Sequence, residues 1–183
     1  MKYLFLLISL SSLLFSSNIE QSLLKIHATL VPKLLLMDYN FKEKTINNTI
    51  NIVIAYDEID YKYVKKLRKD IEHKYPNGLK SYKINIIPIK YSKLGKIDSN
   101  INLYYLFPSK KENIYKLIEN ANKKQALTFS YQNNDLSYGV MSSVYIGSKV
   151  KPLLNLIALK ANDITLRPVL LKISKIYTAQ GVN

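Results

Sequence analysis

The chain has 183 residues, 48% of them hydrophobic and 22% charged, which suits one globular domain and excludes a disordered polyelectrolyte. Its formal charge is +14, yet only Arg68 and Arg167 are arginines, and a surface of lysines without the guanidinium fork speaks for a solvated exterior rather than a nucleic-acid site. No cysteine is present, which removes disulfides, thiol catalysis and lipid attachment through a thiol.

Met1 and Lys2 make a short positive start, residues 3–15 form an uncharged apolar run, and Ser16-Ser17-Asn18 follow. This is the layout of a cleavable signal peptide over 1–17, short for a membrane span; Leu14 or Phe15 at the position usually held by a small residue keeps an uncleaved anchor as the alternative. The expected product is a periplasmic, single α/β domain over 18–183. Its later apolar runs are each broken by Lys, Asn or Pro, so an integral membrane protein is not expected.

In 19–37, apolar residues recur at Ile19, Leu23, Ile26, Leu30, Leu34 and Met37, one face of a helix, with Leu24, Val31 and Leu35 widening the stripe. Pro32 removes a backbone donor and predicts a kink or restart. His27 has no second ligand at metal-binding spacing and reads as a packed or surface histidine. Residues 49–56 (TINIVIAY) predict a first strand. Asp57 and Asp60 then offer caps to a helix reaching Tyr75, with Tyr63, Val64, Leu67 and Ile71 inward. Tyr75-Pro76-Asn77-Gly78 is a turn, and 82–90 a second strand that Pro88 assigns to an edge or breaks near its end. Residues 101–107 form a third strand. Ser109 and Glu112 have the spacing of a capping box, opening a helix with Ile114, Leu117, Ile118 and Ala121 on one face. Residues 126–131 make a fourth strand. From there 127–177 reads as a polar loop, two strands joined by a tight turn, a polar connection and a final amphipathic helix. The alternation of strands and helices predicts an α/β fold: a mainly parallel sheet flanked by helices, with an antiparallel hairpin and a C-terminal helix.

Catalytic chemistry finds little footing. Asp57, Glu58 and Asp60 follow the first strand, where α/β folds often carry sites, but no acid closes the third strand, and helix capping accounts for them better than metal binding. The five glycines are isolated and no serine lies in a G-x-S-x-G elbow. Asn47-Asn48-Thr49 matches a glycosylation sequon, without meaning in a bacterial protein. The tyrosines are spread over strands and helices as packing residues. No catalytic residue, metal ligand or cofactor site is expected.

Leu127-Thr128 opening a strand, Tyr138-Gly139, Leu154-Asn155-Leu156 followed by Ala158 and Lys160, and Leu170-Leu171-Lys172-Ile173 occur in an order that resembles the family of exported regulators typified by YfiR and HmsC. The resemblance implies a non-catalytic protein that binds the periplasmic sensory region of an inner-membrane receptor, a diguanylate cyclase or a sensor kinase, and represses it. Some members carry redox-active cysteines; this chain has none, so a thiol switch is not carried over. For partner binding the candidates are Asn155, Ile164, Arg167, Leu170 and Ile173. Against them stands a structural reading in which Leu170 and Ile173 pack on the sheet and Asn155 satisfies backbone groups beside the hairpin. A homodimer is admitted, although lysines and Pro88 on 82–90 work against edge pairing. The alternative function is a small periplasmic solute-binding protein.

Overall fold

The sheet is laid out around strand β1 (Thr49–Tyr56), whose β-branched residues are buried on both faces from Ile52 onward, as a central parallel strand requires. The computed structural model describes residues 20–97, 100–178 and 181–182; the expected leader over 1–17 lies outside them. β1 is flanked by β2 (Lys83–Lys90) and β3 (Leu103–Leu106), both parallel to it. β4 (Leu127–Ser130) and β5 (Ser142–Ile146) continue the parallel run. β6 (Val150–Leu154) returns antiparallel to β5, β7 (Lys175–Thr178) runs parallel to β6, and the two-residue β8 (Gly181–Val182) closes antiparallel on β7. The order across the eight strands is β2-β1-β3-β4-β5-β6-β7-β8. β2 therefore sits at one edge, where Pro88, which lacks a ladder donor, is tolerated.

The pleat sorts side chains into two cores. Ile52, Ile54, Leu103, Tyr105, Leu127 and Phe129 face helices α1 (Gln21–Leu35) and α2 (Tyr61–Lys74). Val53, Ala55, Tyr104 and Leu106 face α3 (Lys111–Lys123) and the 3-10 turn at Tyr91–Lys96. In register, Ile52 lies beside Leu103 and Leu103 beside Leu127, so each apolar row runs unbroken across strands. The result is a three-layer α/β/α sandwich. Two short helices, α4 (Leu156–Ala161) and α5 (Pro168–Ile173), join the α1 side through Ala158, Leu159 and Leu170.

Several expectations change in detail. Helix α1 runs through Pro32 without a restart, and its buried face is Leu24, His27, Ala28, Val31, Leu34 and Leu35. That face is turned by about one residue from the stripe read in the sequence, which leaves Leu23, Ile26 and Leu30 half-buried. Neither Asp57 nor Asp60 makes a side-chain cap. The capping box also does not form: Lys110 is the N-cap of α3, and Ser109 instead donates to Asp57 Oδ2 at 2.6 Å. Both residues leave the ends of neighbouring parallel strands, and a hydrogen bond to a carboxylate is stronger than one to a backbone amide. The C-terminal helix is only six residues long. Ser174 Oγ bonds back to the Leu170 carbonyl at 2.7 Å, and the chain then pairs with β6 through Leu153–Lys175 and Leu154–Ile176. An exposed sheet edge competes successfully with continuation of the helix, since it satisfies the same backbone groups while extending the ladder.

Candidate functional site

In an open α/β sheet, ligands favour the crevice where strand order reverses. Here that point lies at the ends of β1 and β3, between β2 on one side and β4 on the other. Its side chains satisfy one another. Asp57 accepts from Ser109, Asn113 Nδ2 donates to Ser109 Oγ at 2.8 Å, and the Tyr91 hydroxyl donates to the Phe107 carbonyl at 2.6 Å. Glu58 pairs with Lys90, and Asp60 is buried. Among the described residues no group of three His, Cys, Asp or Glu side chains could hold a metal ion. The crevice is a closed polar seam.

The open site lies on the α1 face of the sheet, toward β6. A cleft of about 430 Å³ is bounded by the last turns of α1, the hairpin strand β6 and helix α5. Leu30, Lys33, Leu34 and Met37, at helical spacing, form one wall. Lys149 of the turn and Val150, Lys151 and Pro152 of β6 form another, and Val169, Leu170 and Ile173 the third. Phe129 makes the floor, its ring stacked on Tyr105 with centroids 5.7 Å apart. The walls are held by backbone bonds between distant segments: Tyr39 N donates to the Thr165 carbonyl at 2.9 Å and Arg167 N to the Met37 carbonyl at 2.8 Å. The hairpin is tight because Gly147 has no Cβ, which would lie 2.7 Å from the Tyr145 ring.

Beneath this cleft His27 is fully buried on the same helical face as Leu30 and Leu34. Its Nδ1 lies 2.7 Å from the Tyr105 hydroxyl, and the rings of Phe129 and Tyr131 meet it edge-on at 5.0 and 5.6 Å. Nε2 has no hydrogen-bond partner among the described residues. Burial pushes the imidazole pKa down to about 3, so the ring is neutral in the fold. It is a packed histidine, not a ligand.

The sequence-derived partner candidates fall into two groups. Asn155 is buried: its Oδ1 accepts from Ala158 N at 3.0 Å as the N-cap of α4, and its Nδ2 donates to the Leu136 carbonyl at 2.9 Å. Ile164 and Leu170 are also buried, Leu170 in the cleft wall. Arg167 and Ile173 are exposed; the Arg167 guanidinium lies 5.6 Å from the Tyr39 ring centroid, and Ile173 stands at the cleft mouth. The residues that complete this surface and were not singled out are Val150 and Val169 in the cleft lining and Ile146 beside Val150 in the hairpin, all exposed. Their signal lies in composition alone: the C-terminal segment has more apolar residues than its short elements can bury.

Fold and site together define an α/β sandwich with an apolar cleft. The chain matches the YfiR/HmsC-like family over residues 41–175, and so belongs to it. That family is known as one of regulators rather than catalysts. No curated protein matches the sequence. Among solved structures, the chain is similar to a conserved domain protein of Vibrio cholerae O1 biovar El Tor, at TM-score 0.57 and 13% identity, covering 84% of this chain and 59% of that one. It is similar at the same TM-score, with 10% identity, to an ABC domain in complex with L-Trp from Streptococcus pneumonia, covering 84% of this chain and 60% of that one. The chain thus spans less than two thirds of either neighbour, and at these identities the likeness is one of fold. No helix among the described residues is long and apolar enough to cross a membrane.

Proposed function

We propose that the chain is a periplasmic regulator, exported by a signal peptide over 1–17, that binds the sensory region of an inner-membrane receptor and holds it inactive. The receptor is a diguanylate cyclase, so that release raises cyclic-di-GMP in the cell; a sensor kinase is the other receptor class. The observation that carries this reading is the apolar surface around α5: Val150, Val169 and Ile173 are each about half exposed and line one cleft, with Ile146 beside Val150 in the hairpin, whereas Ile46, Ile59 and Ile157, also exposed, line none of its walls. Contiguous exposed apolar side chains rimmed by charge are the mark of an interaction surface, and membership of a regulator family supports the same conclusion. Lys149, Lys151 and Lys172 border the patch, so the matching receptor surface is apolar with acidic edges. Capture needs only a few kcal/mol of differential affinity between receptor states to act as a switch.

The test is affinity capture of solubilised inner-membrane proteins by the purified protein, with an Ile173→Asp variant alongside. Wild type is expected to retain one membrane receptor that the variant does not. Retention of no receptor by wild type, with tight binding of a small metabolite, replaces this reading with the second one, a small solute-binding protein. The cleft favours that alternative, as does a fold shared with a tryptophan-bound ABC domain. Neighbouring genes separate the two cheaply: a membrane cyclase or kinase for the regulator, a permease and ATPase for the solute binder.

A further inference from the structure

The cleft between α1, β6 and α5 combines two features that no single requirement of folding explains. Its interior is apolar throughout, from the Phe129 floor to Leu34 and Leu170 on the walls, and has no neutral polar side chain. A site of that kind holds no ordered water, because water needs two to four polar partners. Packing alone would favour filling it, since voids forfeit dispersion contacts. The mouth, by contrast, carries Lys33, Lys149 and Lys151 and no acid. Among the described residues the ion pairs use Lys44, Lys66, Arg68, Lys90 and Lys123, and none involves these three. Three lysines thus line one cleft with no carboxylate in its lining.

The occupant that answers both features has a long apolar body and one anionic end. A polar phosphate ester would satisfy the lysines and leave the apolar walls bare. A neutral hydrocarbon would fill the cleft and leave its lysines without a counter-charge. A zwitterionic amino acid would bring an ammonium group into the same lysine cluster. We propose that the cleft binds a single-chain monocarboxylate of the fatty-acid class, acyl chain against Phe129, Leu34 and Leu170, carboxylate among Lys33, Lys149 and Lys151. The volume, about 430 Å³, lies within the range of roughly 300–1,000 Å³ typical of small-molecule sites. The same cleft mouth carries Ile173 and Val150, so a bound acyl chain changes the surface offered to a protein partner. Ligand binding itself does not depend on the receptor reading, since it requires no partner.

The test uses protein purified from cells expressing the full chain, delipidated and titrated calorimetrically with monomeric dodecanoate. Saturable one-to-one binding is expected, weakened about tenfold or more when dodecanol replaces dodecanoate or in a Lys33→Gln, Lys149→Gln, Lys151→Gln triple variant. Leu30→Trp, which puts an indole into the half-open wall, is expected to abolish binding while circular dichroism stays unchanged. Equal affinity for dodecanol and dodecanoate overturns the proposal, as does an unaffected triple variant or the absence of saturable binding. Association with anionic phospholipid vesicles but not with monomeric dodecanoate also overturns it, because the lysines then serve a membrane surface. Receptor capture is read in a separate assay, so loss of one result leaves the other standing.

Discussion

Asn155 and Leu136 are joined by a 2.9 Å hydrogen bond from the side-chain amide to the backbone carbonyl, nineteen residues apart in sequence. The same side chain caps α4 through Ala158 N, and the Asn155 backbone N–H donates to the Met141 carbonyl at 2.9 Å. One buried asparagine thus fixes the 3-10 turn at Asn133–Tyr138, the end of β6 and the start of α4 relative to one another. Asn155→Ala removes a cap, worth about 0.5–2 kcal/mol, and one of two hydrogen bonds to the Leu136 carbonyl, which keeps its bond from Gly139 N, at about 0.5–1.5 kcal/mol. A total loss of about 1–3 kcal/mol is expected in urea unfolding, and Asn155→Ser, which restores only the cap, is expected to recover about 1 kcal/mol of it. Equal stability of the Ala and Ser variants would show that the cap contributes nothing.

His27 gives the fold a defined response to acid. Its pKa falls from an ordinary 6.5 to about 3 because burial disfavours the charged ring. A histidine held below its unfolded value leaves stability untouched above pH 6.5. Below that value the unfolded chain takes up a proton that the native state refuses, so stability falls toward pH 3 by about 1.4 kcal/mol per pH unit at most. Asp135, whose carboxyl is pushed up by burial, acts in the opposite sense just above 3.8. Comparing wild type with His27→Gln cancels that contribution. The wild type is expected to lose stability more steeply than the variant between pH 6 and 4, in chemical unfolding at matched ionic strength. Parallel pH profiles would mean that the ring is not held neutral.

The βαβ portion was legible from sequence because each of its elements buries one unambiguous face: Val64, Leu67 and Ile71 of α2, and Ile114, Leu117 and Ala121 of α3, fall where periodicity puts them. The β5–β6 hairpin and a C-terminal helix were legible too, but the element changes around them were not, for a physical reason. Residues 152–159 (PLLNLIAL) form a continuous apolar run that changes from strand to helix at Asn155, and only the capping chemistry of that asparagine marks the change. Strand β7 follows a helix-forming segment and exists because β6 offers it an edge, which is tertiary information. The cleft was hidden for a related reason. Leu30, Phe129, Val150 and Ile173 lie on four elements far apart in the chain, and Lys33, Lys149 and Lys151 read singly as solvated surface. Helix α1 did carry a hint. Its apolar stripe is wider than one face can bury, and the surplus residues Leu30 and Met37 line the cleft.

Gly78 closes the turn between α2 and β2 with φ +80°, a region that side chains rarely adopt. A Cβ there would lie 2.1 Å from the Tyr82 carbonyl oxygen, which itself accepts from Leu79 N at 2.9 Å. Both the backbone conformation and the contact therefore oppose Gly78→Ala. A loss of about 2 kcal/mol or more is expected in urea unfolding. The turn is remote from the cleft, so dodecanoate affinity of the folded fraction should not change. A neutral substitution would mean that the turn relaxes freely.

Leu170 and Ile173 sit one helical turn apart on α5 and separate folding from binding. Leu170 is 5% exposed and packs in the same core as Leu34 and Phe129, whereas Ile173 is 55% exposed at the cleft mouth. Truncating a buried leucine to alanine costs about 2–5 kcal/mol, through lost transfer energy and the cavity left behind. A half-exposed side chain at the end of a short helix has far less to lose, about 1 kcal/mol or less. Leu170→Ala is therefore expected to lower the unfolding midpoint strongly, and Ile173→Ser to leave it nearly unchanged. Receptor capture should reverse that order: Ile173→Ser should reduce recovery of the receptor severalfold from protein that is still folded. Measuring both variants by thermal unfolding and by capture decides the matter. If Ile173→Ser captures as much receptor as wild type, the α5 surface is not where the partner docks.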